Sequence, residues 1–238
     1  ASSPTVALNI SGCLFNGKIV TTNGTTHCGG FVGHNDHSNG ANVSISNSLY
    51  APASDANTVS AGCATFVRDA ATITNCYYVT ALGTVQGKQR HSITADENVT
   101  VAFSGTANEY QTSGITAYKD GNTQLPGLKY GDVLYAGDGD AVSLTLTNTP
   151  PEGYVFNGYT VSPEGTTLTG SGNAYTLTMP NEDVTIVADL FYCPAPTLTL
   201  EDNSITAYGA TVSWTGSSES YILEYAEGNS PSTWITVS

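Results

Sequence analysis

Two short phrases recur in the first 90 residues, and their spacing constrains the fold more than any other feature of the sequence. Ile10-Ser-Gly-Cys-Leu-Phe15 returns as Ile45-Ser-Asn-Ser-Leu-Tyr50 after 35 residues and as Ile73-Thr-Asn-Cys-Tyr-Tyr78 after a further 28. Cys28-Gly-Gly-Phe-Val32 returns as Cys63-Ala-Thr-Phe-Val67, again after 35 residues. Strand-like phrases that alternate at such a period predict the coils of a solenoid, in which each turn buries its apolar side chains against the next.

The repeat assigns four of the five cysteines to equivalent places in successive coils. Stacking puts Cys13 and Cys76 in equivalent positions with Ser48 between them, and it makes Cys28 equivalent to Cys63. An odd number of cysteines without a CxxC pair fits neither a zinc site nor a dense disulfide framework. We therefore interpret most of them as small, buried apolar side chains, and the sequence leaves their oxidation state open.

The phrases also carry a family resemblance. Gly29-Gly-Phe-Val-Gly33, followed by Gly40 and Ile45-Ser-Asn-Ser-Leu-Tyr50, resembles the GLUG repeat of bacterial surface proteins. That family pairs a Gly-Gly-(Leu/Phe)-Val-Gly phrase with an Ile-x-Asn-Cys-Tyr phrase on a β-helix, so the resemblance implies a short β-helix over residues 1–90. Because a solenoid normally needs at least three coils, we expect further coils before Ala1 in the parent protein.

Residues 91–192 are predicted to form a separate all-β domain, either sandwich-like or β-grasp-like. Apolar and polar residues alternate there in runs separated by turn signals. The runs cover residues 99–103, 142–146, 175–179 and 184–190. The phrase Pro151-Glu-Gly-Tyr-Val-Phe-Asn-Gly-Tyr159, then Tyr175-Thr-Leu-Thr-Met-Pro180 and Asp183-Val-Thr-Ile186, resembles the divergent internalin-type B-repeat of bacterial cell-wall proteins, with Tyr159 in place of the usual Trp.

The last segment, residues 193–238, opens with the stiff proline linker Cys193-Pro-Ala-Pro196. Ala210-Thr-Val-Ser-Trp214 and Tyr221-Ile-Leu-Glu-Tyr225 resemble the Trp-bearing second strand and the Tyr-rich third strand of a fibronectin type III module. The sequence supplies about half of the strands of such a sandwich before it ends, which implies an incomplete module. The chain opens with neither Met nor a signal peptide, so either a signal peptide has been removed or the sequence starts within a longer protein. The marginal number of coils at one end and the incomplete module at the other favour the second, and we expect both ends to lie within a longer protein.

The charge balance excludes nucleic acid and anionic lipid as partners. Six basic residues face 20 acidic ones, and the net charge is −14. Phosphate binding needs clustered Lys and Arg side chains, which this chain lacks. No apolar run reaches the roughly 18 residues of a membrane span, so no membrane insertion is predicted within this chain.

Two polar clusters have residue types that hold metal ions, and we interpret both as surface loops. His34-Asn-Asp-His37, near His27, lies in a Gly/Asn/Ser loop without a Cys or Glu at ligand spacing. Asp138-Gly-Asp140, with Asp132 upstream, lacks the ordered oxygen ligands of a calcium loop and is predicted to be an acidic turn. We therefore predict no metal site and no cofactor, and the sequence names no ligand-binding residue.

The sequence offers no constellation typical of catalysis. No Gly-x-Ser-x-Gly elbow occurs, and the four histidines have no obvious catalytic partner. Only Lys18, Arg68, Lys88 and Arg90 are basic in the first segment, too few for the charged groove of a pectate-lyase-like β-helix. We predict that the chain is not an enzyme.

Fourteen tyrosines raise the alternative of a sugar-stacking platform, because a Tyr ring combines an apolar face with a polar tip. Most of them alternate with aliphatic residues in strand patterns, which predicts core positions. Tyr110, Tyr118, Tyr130 and Tyr135 follow no clear pattern and are the candidates for exposed rings.

The resemblances together imply a non-catalytic adhesion or interaction protein, outside a bacterial cell of the Gram-negative gut-anaerobe kind, either secreted or anchored in the outer membrane. The partners implied are a host or matrix glycan, a glycoprotein or another surface protein. Two alternatives stay open. One is a carbohydrate-binding module. The other is the accessory, non-catalytic region of a secreted hydrolase or peptidase, since GLUG units also accompany bacterial immunoglobulin peptidases.

Overall fold

The fold is all-β, as predicted. A computed structural model describes residues 7–19, 28–34, 42–53, 62–110, 114–121, 124–216, 221–226 and 232–236. Apart from one 3-10 turn at Asp202–Ser204, these residues form strands, turns and irregular segments, and none of them lies in an α-helix. In this part of the chain no helix is long and apolar enough to cross a membrane.

The chain divides into two compact units. The first comprises residues 1–147 and 158–188, and the second comprises residues 148–157 and 189–238. The three-segment division at 90/91 and 192/193 follows sequence patterns instead, and it stays a prediction.

Seven short strands build the coils of the first unit. They are β1 (Ala7–Ser11), β2 (Leu14–Phe15), β3 (Asn42–Ser46), β4 (Leu49–Tyr50), β5 (Thr72–Thr74), β6 (Tyr77–Tyr78) and β7 (Lys88–Gln89). β1, β3 and β5 form one parallel sheet, and β2, β4, β6 and β7 form another. Ile10 pairs with Ile45 and Ile45 with Ile73, while Cys13 N donates a hydrogen bond to Ser48 Oγ at 3.2 Å. The stacking that the repeat predicts is therefore confirmed.

The backbone conformation at one corner of each coil explains why the repeat has Gly in its first phrase and Asn in the next two. Gly12, Asn47 and Asn75 occupy this corner in successive coils, with φ angles of 66°, 49° and 49°. This left-handed backbone conformation is open to Gly and is tolerated by Asn better than by most residues. The repeat consequently exchanges Gly and Asn at this place.

The cysteines are partly as predicted. Cys76 is buried, Cys13 is half-buried and Cys193 is exposed. Cys28 and Cys63 form a disulfide, which corrects their interpretation as separate apolar side chains. The physical reason is the stacking itself, because it brings the two Cα atoms to 4.6 Å, within the range that a disulfide spans.

Aromatic rings fill the interior of the coils in layers. Phe15 stacks on Tyr50 with ring centroids 5.1 Å apart, and Phe31 stacks on Phe66 at 5.3 Å. Each pair joins equivalent positions of neighbouring coils, and Tyr50 meets Phe66 edge-on at 6.4 Å. The repeat thus places its large apolar side chains where they pack against their own counterparts.

Eleven further strands follow the coils. They are β8 (His91–Ala95), β9 (Val99–Phe103), β10 (Thr106–Glu109), β11 (Ile115–Asp120), β12 (Gln124–Tyr130), β13 (Val133–Ala136), β14 (Ala141–Leu146), β15 (Tyr154–Ser162), β16 (Leu168–Ser171), β17 (Ala174–Thr178) and β18 (Val184–Tyr192). They form a seven-stranded sheet in the order β10-β11-β12-β13-β8-β18-β15 and a four-stranded sheet in the order β16-β17-β14-β9.

The two sheets contact each other through Phe103. Its ring lies against Gly127 of β12, where a Cβ atom would collide with it, and 5.1 Å from the ring of Tyr118. The predicted alternation is also present, since Val184 and Ile186 are buried while Thr185 between them is exposed. Two sheets in contact match the sandwich-like alternative.

The coils and the seven-stranded sheet share an apolar cluster, which we call the junction cluster. Its coil members are Leu49, Ala51 and Tyr77. Its buried members from the following strands and loops are Tyr110, Ile115, Ala117, Leu125 and Leu128. Burial of each large apolar side chain contributes about 1.5–3 kcal/mol, so this cluster fastens the coils to the sheet.

The second unit contains two short antiparallel pairs. β19 (Thr197–Leu200) pairs with β20 (Val212–Thr215), and β21 (Glu224–Tyr225) pairs with β22 (Ile235–Thr236). Strands occur at the predicted places, although the second and third are shorter than the sequence indicates. The fibronectin type III assignment stays a prediction.

Candidate functional site

A polar cleft of about 470 Å³ lies in the first unit, where the last coil meets the following strands. Tyr77 and the segment that leaves the last coil form one side, and the turn between β13 and β14 forms another. The polar side chains that line the cleft are Asn75, Lys88, Gln89, Arg90, Asp138, Asp140 and Asn181.

Arg90 is the most deeply buried charged side chain of this cleft. It stands between β7 and β8, and its backbone N–H donates to Tyr78 O at 2.9 Å. Only 6% of its surface is exposed. Nη1 donates to Asp140 Oδ2 at 2.5 Å, and Cζ lies 4.1 Å from the centroid of the Tyr77 ring. The guanidinium is therefore held by an ion pair and a cation–π contact at once.

The turn that carries Asp140 is fastened at both ends. Asp140 Oδ2 also accepts a hydrogen bond from Gly137 N at 2.8 Å. Gly139 N donates to Met179 O, and Met179 N donates to Asp140 O. A Cβ atom on Gly137 would collide with Arg90 Nη1, so only glycine leaves room for the guanidinium at this place.

Burial opposes the charge of both partners. It is the main cause that lowers the pKa of Arg90 and raises the pKa of Asp140, while the attraction between the two groups acts against each shift. Arg90 Nε is buried and has no hydrogen-bond partner among the described residues. An unpartnered buried donor costs about 1–3 kcal/mol, so the guanidinium of Arg90 is left with one unsatisfied donor.

Asn181 is fixed at the rim of the cleft by His91. His91 Nε2 lies 3.0 Å from Asn181 Oδ1, and Ser92 N donates to Asp183 Oδ1 at 2.7 Å. These contacts tie the turn before β18 to β8. The amide of Asn181 is thus held in place by neighbouring strands.

Of the histidines in the predicted surface loop, the structure describes His34. His34 Nδ1 lies 2.9 Å from Asp69 Oδ2, and Arg68 Nε lies 3.6 Å from Asp69 Oδ1. His27 and residues 36–37 lie outside the described residues. In the part of the chain that the structure describes, no three potential ligands are grouped closely enough to hold an ion.

The acidic turn at Asp138-Gly-Asp140 is a turn, as predicted. Asp140 is engaged by Arg90, which puts a cation where a calcium ion would need the carboxylate. Asp132 lies in a different turn, between β12 and β13. The sequence singles out both partners of the ion pair, Arg90 as one of few basic residues and Asp140 as part of an acidic turn.

The four candidate rings do not form an exposed platform. Tyr110 is buried in the junction cluster, so its predicted exposure is wrong. Tyr118 is half-buried beside Phe103, and Tyr130 and Tyr135 are half-buried against the junction cluster. The coils cover one face of the sheet at Tyr110, Tyr130 and Tyr135, and the four-stranded sheet covers the other at Tyr118, so residues that an isolated strand pattern leaves outside lose exposure.

Two other tyrosines, not predicted as exposed, lie in the second unit. Tyr154 is 43% exposed and Tyr192 is 60% exposed, and their ring centroids are 5.2 Å apart. They line a shallow cleft together with Glu152 and Pro194. The rings are inclined by 58°, so they do not offer one flat stacking face.

Comparison with known proteins identifies a family match for the strands and turns that carry Asp138, Asp140 and Asn181. Residues 127–190 match the family model of the divergent InlB B-repeat domain. The matched range contains Asp138, Asp140 and Asn181, and it agrees with the internalin-type resemblance of the sequence. The match supports a repeat of bacterial surface proteins in this part of the chain. No curated protein and no solved structure matches the chain.

Proposed function

We propose that this chain belongs to a non-catalytic adhesion or interaction protein on the outside of a bacterial cell. The observation that carries the proposal is the match of residues 127–190 to the divergent InlB B-repeat, which is a unit of bacterial surface proteins. The parallel coils pack on the seven-stranded sheet, which gives this repeat a firm scaffold for display.

The hydrogen bonds that Asp140 accepts in the cleft favour a binding role over a catalytic one. A general base needs a free lone pair directed at the proton that it removes. Asp140 Oδ2 instead accepts hydrogen bonds from Arg90 and from Gly137. That oxygen is therefore occupied. Burial raises the pKa of the Asp140 carboxyl, but the attraction of Arg90 acts to lower it, which weakens the carboxyl as a base.

The disulfide supports an extracellular setting. Bonds such as Cys28–Cys63 persist mainly in oxidising compartments outside the cytosol. A net charge of −14 also favours solubility and discourages contact with anionic surfaces. Both features fit a protein displayed or released outside the cell.

A surface-retention assay tests the proposal. The chain is applied to immobilised mucin, polysaccharides and matrix proteins, and each surface is assayed for retained chain and for released fragments. We expect retention on at least one surface and no released fragments. An unrelated protein of similar acidity controls for charge. Released fragments would overturn the non-catalytic assignment, and failure of every surface to retain the chain would overturn adhesion.

A further inference from the structure

We infer that the cleft beside Arg90 binds a neutral, hydroxyl-rich ligand, namely a saccharide unit. This inference rests on the proposed function in one respect, since it names what such a surface protein would capture. It is carried by the lining of the cleft, its charge balance and the unpartnered donor within it.

The lining suits hydroxyl groups. Asn75, Gln89 and Asn181 each contribute an amide, which offers both donors and an acceptor. A hydroxyl group likewise donates one hydrogen bond and accepts others, so amides complement it in either direction. Ordinary small-molecule pockets are mostly apolar, whereas most residues that line this cleft are polar, which disfavours an apolar ligand.

The charges of the cleft cancel. Lys88 and Arg90 stand against Asp138 and Asp140 in a chain whose net charge is −14. An anionic ligand would approach Asp138 as well as Lys88, and a cationic ligand would meet Arg90. A neutral ligand exploits donors and acceptors without leaving a buried charge unmatched.

Arg90 supplies the observation that points to a missing acceptor. Its Nε has no hydrogen-bond partner in the described part of the chain, although only 6% of the residue surface is exposed. Native proteins leave few such groups, and an ordered water or a bound ion commonly accounts for them. Because Arg90 lines the cleft, a hydroxyl oxygen bound beside its guanidinium supplies that acceptor once the side chain moves to expose Nε. The cleft volume of about 470 Å³ is within the roughly 300–1,000 Å³ of small-ligand sites.

The repeat itself provides a matched pair of variants. Asn75→Gly and Asn47→Gly both keep the left-handed corner, because Gly12 already occupies it in the first coil. Both also remove the 3.4 Å contact between Asn75 Nδ2 and Asn47 Oδ1. Only Asn75 lines the cleft, so the pair separates ligand contact from coil stability.

The experiment is a titration of the full chain with soluble neutral oligosaccharides of glucose, mannose, galactose and N-acetylglucosamine, with glucuronate as the charged comparator. Binding is followed by calorimetry and by the NMR resonance of Arg90 Nε–H. We expect at least one neutral saccharide to bind and to shift that resonance. We expect Asn75→Gly to weaken this binding about tenfold, as the loss of one hydrogen bond does, and Asn47→Gly to leave it within twofold.

Three results would overturn the inference: no binding by any neutral saccharide, equal binding by both glycine variants, or tighter binding of glucuronate. Surface retention that persists in Asn75→Gly would leave adhesion standing and remove the cleft as its site. Saccharide binding by a chain that no surface retains would do the reverse, so the failures of the two proposals are distinguishable.

Discussion

Arg90 follows the last strand of the coils and precedes the first strand of the seven-stranded sheet, so protein encloses its guanidinium on several sides. Transfer of such a charge out of water costs several kcal/mol, and the ion pair with Asp140 offsets that cost only while both partners remain. A cation–π contact with the Tyr77 ring also stabilises the buried guanidinium. The pair is therefore more important for specifying the junction than for stabilising it.

Loss of one partner is predicted to destabilise more than loss of both. Asp140→Ala leaves the charge of Arg90 buried without its counterion, and we expect the free energy of unfolding to fall by about 3 kcal/mol. Arg90→Met combined with Asp140→Ala should lose less, because no unmatched charge remains. Urea denaturation of the single and double variants measures both. Asp138→Ala, in the same turn but exposed, is the control, and an equal loss in that variant would contradict the prediction.

Sequence reasoning found these residues without finding their relationship. Arg90 stood out only because basic residues are rare, and Asp140 only as part of an acidic turn. The two are 50 positions apart, and their contact depends on how the sheet docks on the coils. Local patterns encode strands and turns but not this docking, so the cleft could not be predicted, nor could the need for glycine at Gly137.

At the scale of elements, the coils show both the strength of the repeat and its limit. The register of Ile10, Ile45 and Ile73 followed from spacing alone, since equivalent side chains must stack. The Cys63-Ala-Thr-Phe-Val67 phrase has no further full copy to pair with, although Thr84 bridges to Ala64 and β7 pairs with β6. Gln86 closes this phrase: Oε1 accepts from Phe66 N and Val67 N, and Nε2 donates to Val67 O, each at 2.8 Å. At Phe66 and Val67 a side chain thus makes the hydrogen bonds that a further copy of the phrase would make from its backbone, which the repeat pattern does not predict.

Removal of this side chain is predicted to loosen the coil that carries Phe66 and Val67. Gln86→Ala leaves two backbone N–H groups and one carbonyl without their partner, and we expect a loss of about 2–3 kcal/mol. Hydrogen exchange of the Phe66 and Val67 amides should accelerate together. Val85→Ala is the control, because Val85 is 58% exposed. Unchanged exchange at both amides in Gln86→Ala would refute the role of the glutamine.

At the scale of the first unit, the coils and the seven-stranded sheet depend on the same apolar cluster. Leu49 and Tyr77 come from adjacent coil strands and pack with Ile115 and Leu128 from adjacent sheet strands. The sequence predicted both structures separately and placed a boundary at residue 90. It did not predict that one core would bridge them, because no periodicity links residues so far apart.

A cavity in this cluster is predicted to weaken both structures together. Leu49 is fully buried, and Leu49→Ala should lower the free energy of unfolding by about 3 kcal/mol. Hydrogen exchange should then accelerate in β4 and β6 and also in β11 and β12. Leu8→Ala, at a position 44% exposed, should change neither set. Acceleration confined to the coils would show that the two structures unfold independently.

The passage from coils to sheet has a mechanical consequence. A single residue, Arg90, separates β7 from β8, and its backbone is bonded to Tyr78 while its side chain is clamped by Asp140. A hinge requires several residues that are free to change φ and ψ. This junction has no such free residues. A force applied to the coils is therefore transmitted directly to the sheet through a rigid connection.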